Sequence, residues 1–118
     1  MVLVDTSVWV SHLHDGNVGL DKLLNDGEVV SHPFIVGELA CGNLKNRREI
    51  LIYLQSIPIA ILAEDGEVLK FIENYQLMGK GLGYIDVHLI AAALLTDTPL
   101  WTFDKTLDKI TKKIGINY

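Results

Sequence analysis

The chain has 118 residues, 49% hydrophobic and 21% charged, with a formal net charge of −5. That length supports one core, so one domain over residues 1–118 is expected, and the composition excludes a disordered chain. No apolar run reaches the ~18 residues a membrane helix needs. The N-terminus, MVLVDTSVWV, lacks a basic n-region and a small-residue cleavage site, so a cytoplasmic location without a secretory signal is expected. The single cysteine, Cys41, excludes an internal disulfide and fits a reducing compartment. Its neighbours Leu39 and Ala40 lead us to expect a small buried apolar residue there.

VLV (2–4) is a short apolar run ending at Asp5 and reads as a first strand. Thr6 to His14 reads as a helix, GLDKLLND (19–26) as another, and EVV (28–30) as the next strand. Pro33 suits the first turn of a helix that runs through Glu38 to about Cys41, where Gly42 can stop it. RREILIYLQ (47–55) has apolar residues at helical spacing, and IPIAIL (57–62) reads as a buried strand. EDGEVLKFIENYQL (64–77) is an amphipathic helix, MGKGLG (78–83) a loop, and GYIDVHLIAAALL (83–95) an almost wholly apolar helix. After Pro99, LWTF (100–103) is a strand and DKTLDKITKKI a short helix before a final INY. This alternation predicts an α/β fold: a central parallel sheet of four to five short strands with helices on both faces. Ligands of such sheets gather at the carboxyl ends of the strands.

Four acids fall at such places. Asp5 follows the first strand and Asp104 the last, Asp86 opens the most apolar helix, and Glu38 lies one to two turns into another. Taken singly, Asp5 and Asp104 are good helix N-caps, Asp86 a partner for the helix dipole, and Glu38 a solvent-facing residue. Taken together, clustered carboxylates repel and raise one another's pKa, which a hard divalent ion relieves. All-oxygen donors suit Mg²⁺, with Mn²⁺ as a substitute.

VLVDTSVWV, the Glu in FIVGELACG, the Asp in GLGYIDVHLIAAAL and LWTFDKTL together resemble, in order and spacing, the four motifs of a PIN domain. The resemblance covers essentially the whole chain and is nearest to the small ribonuclease toxins of VapBC-type toxin–antitoxin modules. It implies that Asp5, Glu38, Asp86 and Asp104 form the metal-binding and catalytic set, with Thr6, Ser7 and Thr102 as supporting hydroxyls. Lys105 follows Asp104 directly where many relatives carry a second acid, so Asp108, a turn away, is the alternative fourth acid. The resemblance also implies an RNA substrate, a cognate antitoxin and a homodimer, for which Val8, Trp9, Leu20, Leu23 and Leu24 offer an apolar face. A PIN nuclease of RNA processing and a degenerate PIN fold acting as a binding module are the alternatives.

The net charge alone argues against a polyanionic partner. Local basic clusters at KNRR (45–48) and Lys105, Lys109, Lys112 and Lys113 answer that objection. A phosphorylation receiver needs an acidic pair after the first strand, and VLVDTSV holds one acid. A haloacid-dehalogenase-type phosphatase wants a second Asp two residues after Asp5, where Ser7 stands. The histidines of HLHD (12–15) and His32 lack the thiolate or third histidine of a zinc site and read as solvent-facing or capping residues. GKGLG (79–83) lacks the spacing of a phosphate-binding P-loop. Trp9 and Trp101 read as core.

Overall fold

A computed structural model describes residues 1–118. Strands β1 (Val2–Val4), β2 (Val29–Val30) and β3 (Leu100–Trp101) form a parallel sheet in the order β2-β1-β3. β1 is central, with Leu3 opposite Val30 on one side and Leu100 on the other. None of its residues is more than 4% exposed. Successive strand residues point to opposite faces, so their joint burial means that both faces of the sheet are covered.

Seven helices supply the cover: α1 (Thr6–Asp15), α2 (Val18–Asn25), α3 (Pro33–Ala40), α4 (Arg47–Ser56), α5 (Asp65–Tyr75), α6 (Tyr84–Thr96) and α7 (Lys105–Ile114). Their ends follow from local chemistry. Asn17 Oδ1 accepts the Leu20 N–H at 2.9 Å to start α2. His32 Nδ1 accepts the Phe34 N–H at 3.0 Å to start α3, with Pro33 in the first turn. Gly115, at φ +85°, ends α7 in the left-handed conformation that glycine adopts without strain. Val87 through Ala93 of α6 are buried without interruption, so this helix is enclosed on all sides.

The expected four to five strands are three. The segment 57–62 adds only one parallel bridge, Ser31 to Ile59, at the β2 edge, and the C-terminal segment adds another, Leu100 to Asn117, at the β3 edge. Pro58 has no N–H to donate, and Ile59, Ile61 and Leu62 are 59%, 56% and 49% exposed rather than buried. The apolar face proposed for dimerisation is also corrected: Val8, Trp9 and Leu20 lie in the core, with Leu23 and Leu24 packed against it. That stripe is spent on folding.

Leu89, fully buried on α6, sets a measurable scale. Leu89→Ala is expected to cost about 2–5 kcal/mol. Ile59→Ser, at the exposed edge, is expected to stay within about 0.5 kcal/mol. Urea unfolding of the two variants checks both values.

Candidate active site

Asp5 joins β1 to α1. Its carbonyl accepts the N–H groups of Val8 and Trp9 at 3.1 and 3.2 Å, opening the helix. The residue is 7% exposed, and its carboxylate is held on one side only. Oδ2 accepts the hydroxyl of Ser7 at 2.7 Å and that of Thr102 at 2.8 Å, with the Ser7 N–H more distant at 3.4 Å. Both hydroxyl protons are thereby spent, so the 3.3 Å contact between Ser7 Oγ and Thr102 Oγ1 carries no hydrogen bond. Each oxygen accepts instead: Ser7 Oγ from the Phe103 N–H and Thr102 Oγ1 from the Asp104 N–H, both at 3.0 Å. Two hydroxyls thus fasten the end of β1 to the end of β3.

The other three acids follow the same rule. Glu38 Oε1, on α3, accepts the Thr6 hydroxyl at 2.7 Å. Asp86 Oδ2 accepts the Gly83 N–H at 2.9 Å at the start of α6. Asp104 Oδ1 accepts the Leu107 N–H at 2.9 Å and caps α7. In every case one carboxylate oxygen is engaged and the other makes no hydrogen bond within the chain.

Asp86 is half-buried, and its pKa is raised above the ordinary value. Burial is the largest cause; the Gly83 N–H opposes it, and the charges of Asp5, Asp104 and Glu38 raise the pKa further. The four acids therefore share one electrostatic site. They do not form a closed shell, since no three acidic, histidine or cysteine side chains stand grouped closely enough to hold a metal. Each is tied to its own element through one oxygen. Hard oxygen donors, unpaired and mutually repelling, fit a divalent cation of the Mg²⁺ or Mn²⁺ type.

The PIN domain family matches residues 2–113 of this chain. The chain is also 38% identical over 117 residues to Ribonuclease VapC32 of Mycobacterium tuberculosis, in strains CDC 1551 / Oshkosh and ATCC 25618 / H37Rv. The match covers 98% of this chain and 94% of each relative. The chain belongs to the PIN-domain family.

Within this PIN domain the alternative fourth acid is otherwise occupied. Asp108 Oδ2 pairs with Lys112 Nζ at 2.8 Å along α7, whereas Asp104 is among the charges that Asp86 senses. The histidines of 12–15 and His32 make local backbone contacts or face solvent. His32 starts α3, and His12 Nδ1 accepts the Asn17 N–H at 3.1 Å. His14 is exposed. Trp9 is core, while Trp101 is only partly buried. Cys41 is a correction: it is exposed, because it follows the last turn of α3 and turns away from the face that Ile35 and Leu39 bury.

The Gly83 amide is a site group that sequence reasoning missed. Its signal was present as G-x-x-D over 83–86, half of a capping box, with no side chain on Gly83 to return the bond. The amides of Phe103 and Asp104 left no comparable signal, since any residue supplies an N–H.

The raised pKa of Asp86 has a definite sign. Folding favours its protonated form, so the folding penalty is absent below the ordinary value of 3.8 and appears as pH rises through the higher folded value. Asp86→Asn keeps an oxygen for the Gly83 N–H. In chelator at pH 7 it is expected to melt at or above the wild-type temperature, with the difference closing near pH 3.8. Thermal melts across that range check this; a variant destabilised at pH 7 would show the charge to be stabilising.

Proposed function

We infer that this chain is a metal-dependent endoribonuclease acting as the toxin of a type II toxin–antitoxin system, with Mg²⁺ as its ion and Mn²⁺ as a substitute. The observation that carries the reading is the set of four carboxylates, each oriented through one oxygen and open at the other, in a chain similar along its length to a ribonuclease. Asp5 Oδ1, Glu38 Oε2, Asp86 Oδ1 and Asp104 Oδ2 are the atoms that would hold the cation. When bound, that cation supplies a water of lowered pKa and a counter-charge for the phosphate. Ser7 and Thr102 fix the Asp5 carboxylate, and Thr6 fixes that of Glu38. Glu38 and Asp104 are exposed, which suits one of them to take the proton of the attacking water.

The basic clusters give the RNA backbone its partners. Lys105 and Lys109 extend along α7 from Asp104, and Arg47 and Arg48 open α4. A cognate antitoxin is supported by a cavity of about 470 Å³ lined by Val10, Leu13, Leu39, Leu44 and Ile50, with Glu38 in its wall. A partner seated there would cover apolar surface and reach the acids together. Exposed Ile52 and Leu69 leave apolar material for a homodimer. A cytoplasmic site of action accords with the lone cysteine, and no helix is long and apolar enough to cross a membrane. Retention of all four acids disfavours a degenerate binding module.

Expression without a partner is expected to arrest growth, and Asp5→Ala to relieve the arrest at equal soluble level. Purified protein is expected to cut RNA in Mg²⁺ or Mn²⁺ and to lose that activity in EDTA. Cleavage that persists in chelator, in a preparation free of other nucleases, would contradict the metal-dependent reading.

A further inference from the structure

Helix α7 concentrates positive charge in a chain whose net charge is −5. Between Lys105 and Ile114 it holds four lysines and one acid, Asp108. Leu107, Ile110 and Thr111 are buried on its inner side, whereas Lys105, Lys109, Lys112 and Lys113 are exposed. Asp108 pairs with Lys112 at 2.8 Å, and Lys105, Lys109 and Lys113 form no ion pair. Residues four apart on a helix lie one above another, so these three make a stripe rising in steps of about 6 Å. The stripe begins one residue after Asp104, whose Oδ2 is free at the site.

Helix stability explains only the far end of this stripe. A cation is favourable in the last turn of a helix and unfavourable in the first. Lys113 stands in the last turn of α7. Lys105 is its first residue, at the positive end of the dipole, with no ion pair to compensate. An anion from outside the chain would make that position favourable.

We propose that α7 is a phosphate track: one strand of the substrate RNA leaves the four acids along this helix, with successive phosphates at Lys105, Lys109 and Lys113. Steps of about 6 Å are close to the separation of neighbouring phosphates along an extended strand, and the flexible lysine stems take up the remainder. Lysine meets phosphate as a point charge and reads no base, so the track positions a strand of any sequence. Lys112 has no share in it, because Asp108 already meets its charge. That the phosphates belong to RNA rests on the nuclease reading; the track gives that substrate a course over the surface.

The probe is fluorescein-labelled oligouridylate of about 12 nucleotides, bound to the full chain and followed by anisotropy across a range of salt. EDTA keeps the strand uncut. Lys105→Gln, Lys109→Gln and Lys113→Gln are each expected to flatten the dependence of log affinity on log salt by about 0.7, and the triple variant by about 2. Oligoadenylate should show the same losses, as phosphate contacts carry no sequence. Lys22→Gln and Lys70→Gln, at exposed positions of α2 and α5, remove the same charge and are expected to leave the slope unchanged. Lys105→Gln is also expected to melt at or above the wild-type temperature, since it relieves the dipole. In Mg²⁺, Lys109→Gln and Lys113→Gln are expected to raise KM several-fold with kcat kept. Flattening in the three variants of a protein that cuts no RNA would sink the nuclease reading and leave the track standing. Binding and cleavage untouched by the three substitutions would overturn the track and leave the nuclease. Equal flattening by Lys22→Gln or Lys70→Gln would also overturn it, giving the attraction to the whole surface. A wild-type chain that neither binds nor cuts the strand would overturn both.

Discussion

Asp5 Oδ2 accepts one proton from the hydroxyl two residues on and another from a hydroxyl 97 residues away. A nearly buried carboxylate is expensive unless it is hydrogen-bonded, and bonds to a charged acceptor return about 1.5–3 kcal/mol each. Because the two hydroxyls also accept the amides of Phe103 and Asp104, the end of β3 is fixed with the same atoms that fix Asp5. The direction of Asp104 and the start of α7 follow from that attachment. So does the free state of Asp5 Oδ1, since the donors all approach from one side.

A carboxylate has two oxygens, and this resolves the competition between capping and metal binding. Asp104 caps α7 and Asp86 holds the Gly83 amide, yet each keeps an oxygen for other work. The cost is repulsion. Asp86 is half-buried, and burial together with the charges of Asp5, Asp104 and Glu38 raises its pKa. A divalent cation among the free oxygens would turn that repulsion into binding energy, which couples metal affinity to the restraints on each acid.

The helices were legible because their signals are local. Apolar spacing and Pro33 each act within a turn, and every expected helix is present within a few residues. The sheet edges were not legible, because an apolar run such as IPIAIL reads alike whether it is paired along its length or touches its neighbour at one bridge. The acids were legible as residues through the order of the four motifs. Their orientation was not: it depends on Thr102 meeting Asp5 across the fold and on backbone amides with no residue identity. The buried, unpartnered Nε2 of His32 was equally hidden, since burial of an N-cap depends on what packs over it.

On the proposed reading, a cation draws the four free oxygens into one site. Substoichiometric Mn²⁺ added to ¹⁵N-labelled protein tests it most directly, because a paramagnetic ion broadens the amides nearest to it. Broadening should concentrate on residues 5–7, 38, 83–86 and 102–104, and excess Mg²⁺ should reverse it. Broadening centred on other acids, such as Asp15 or Asp21, or spread evenly over the acidic surface, would contradict the account.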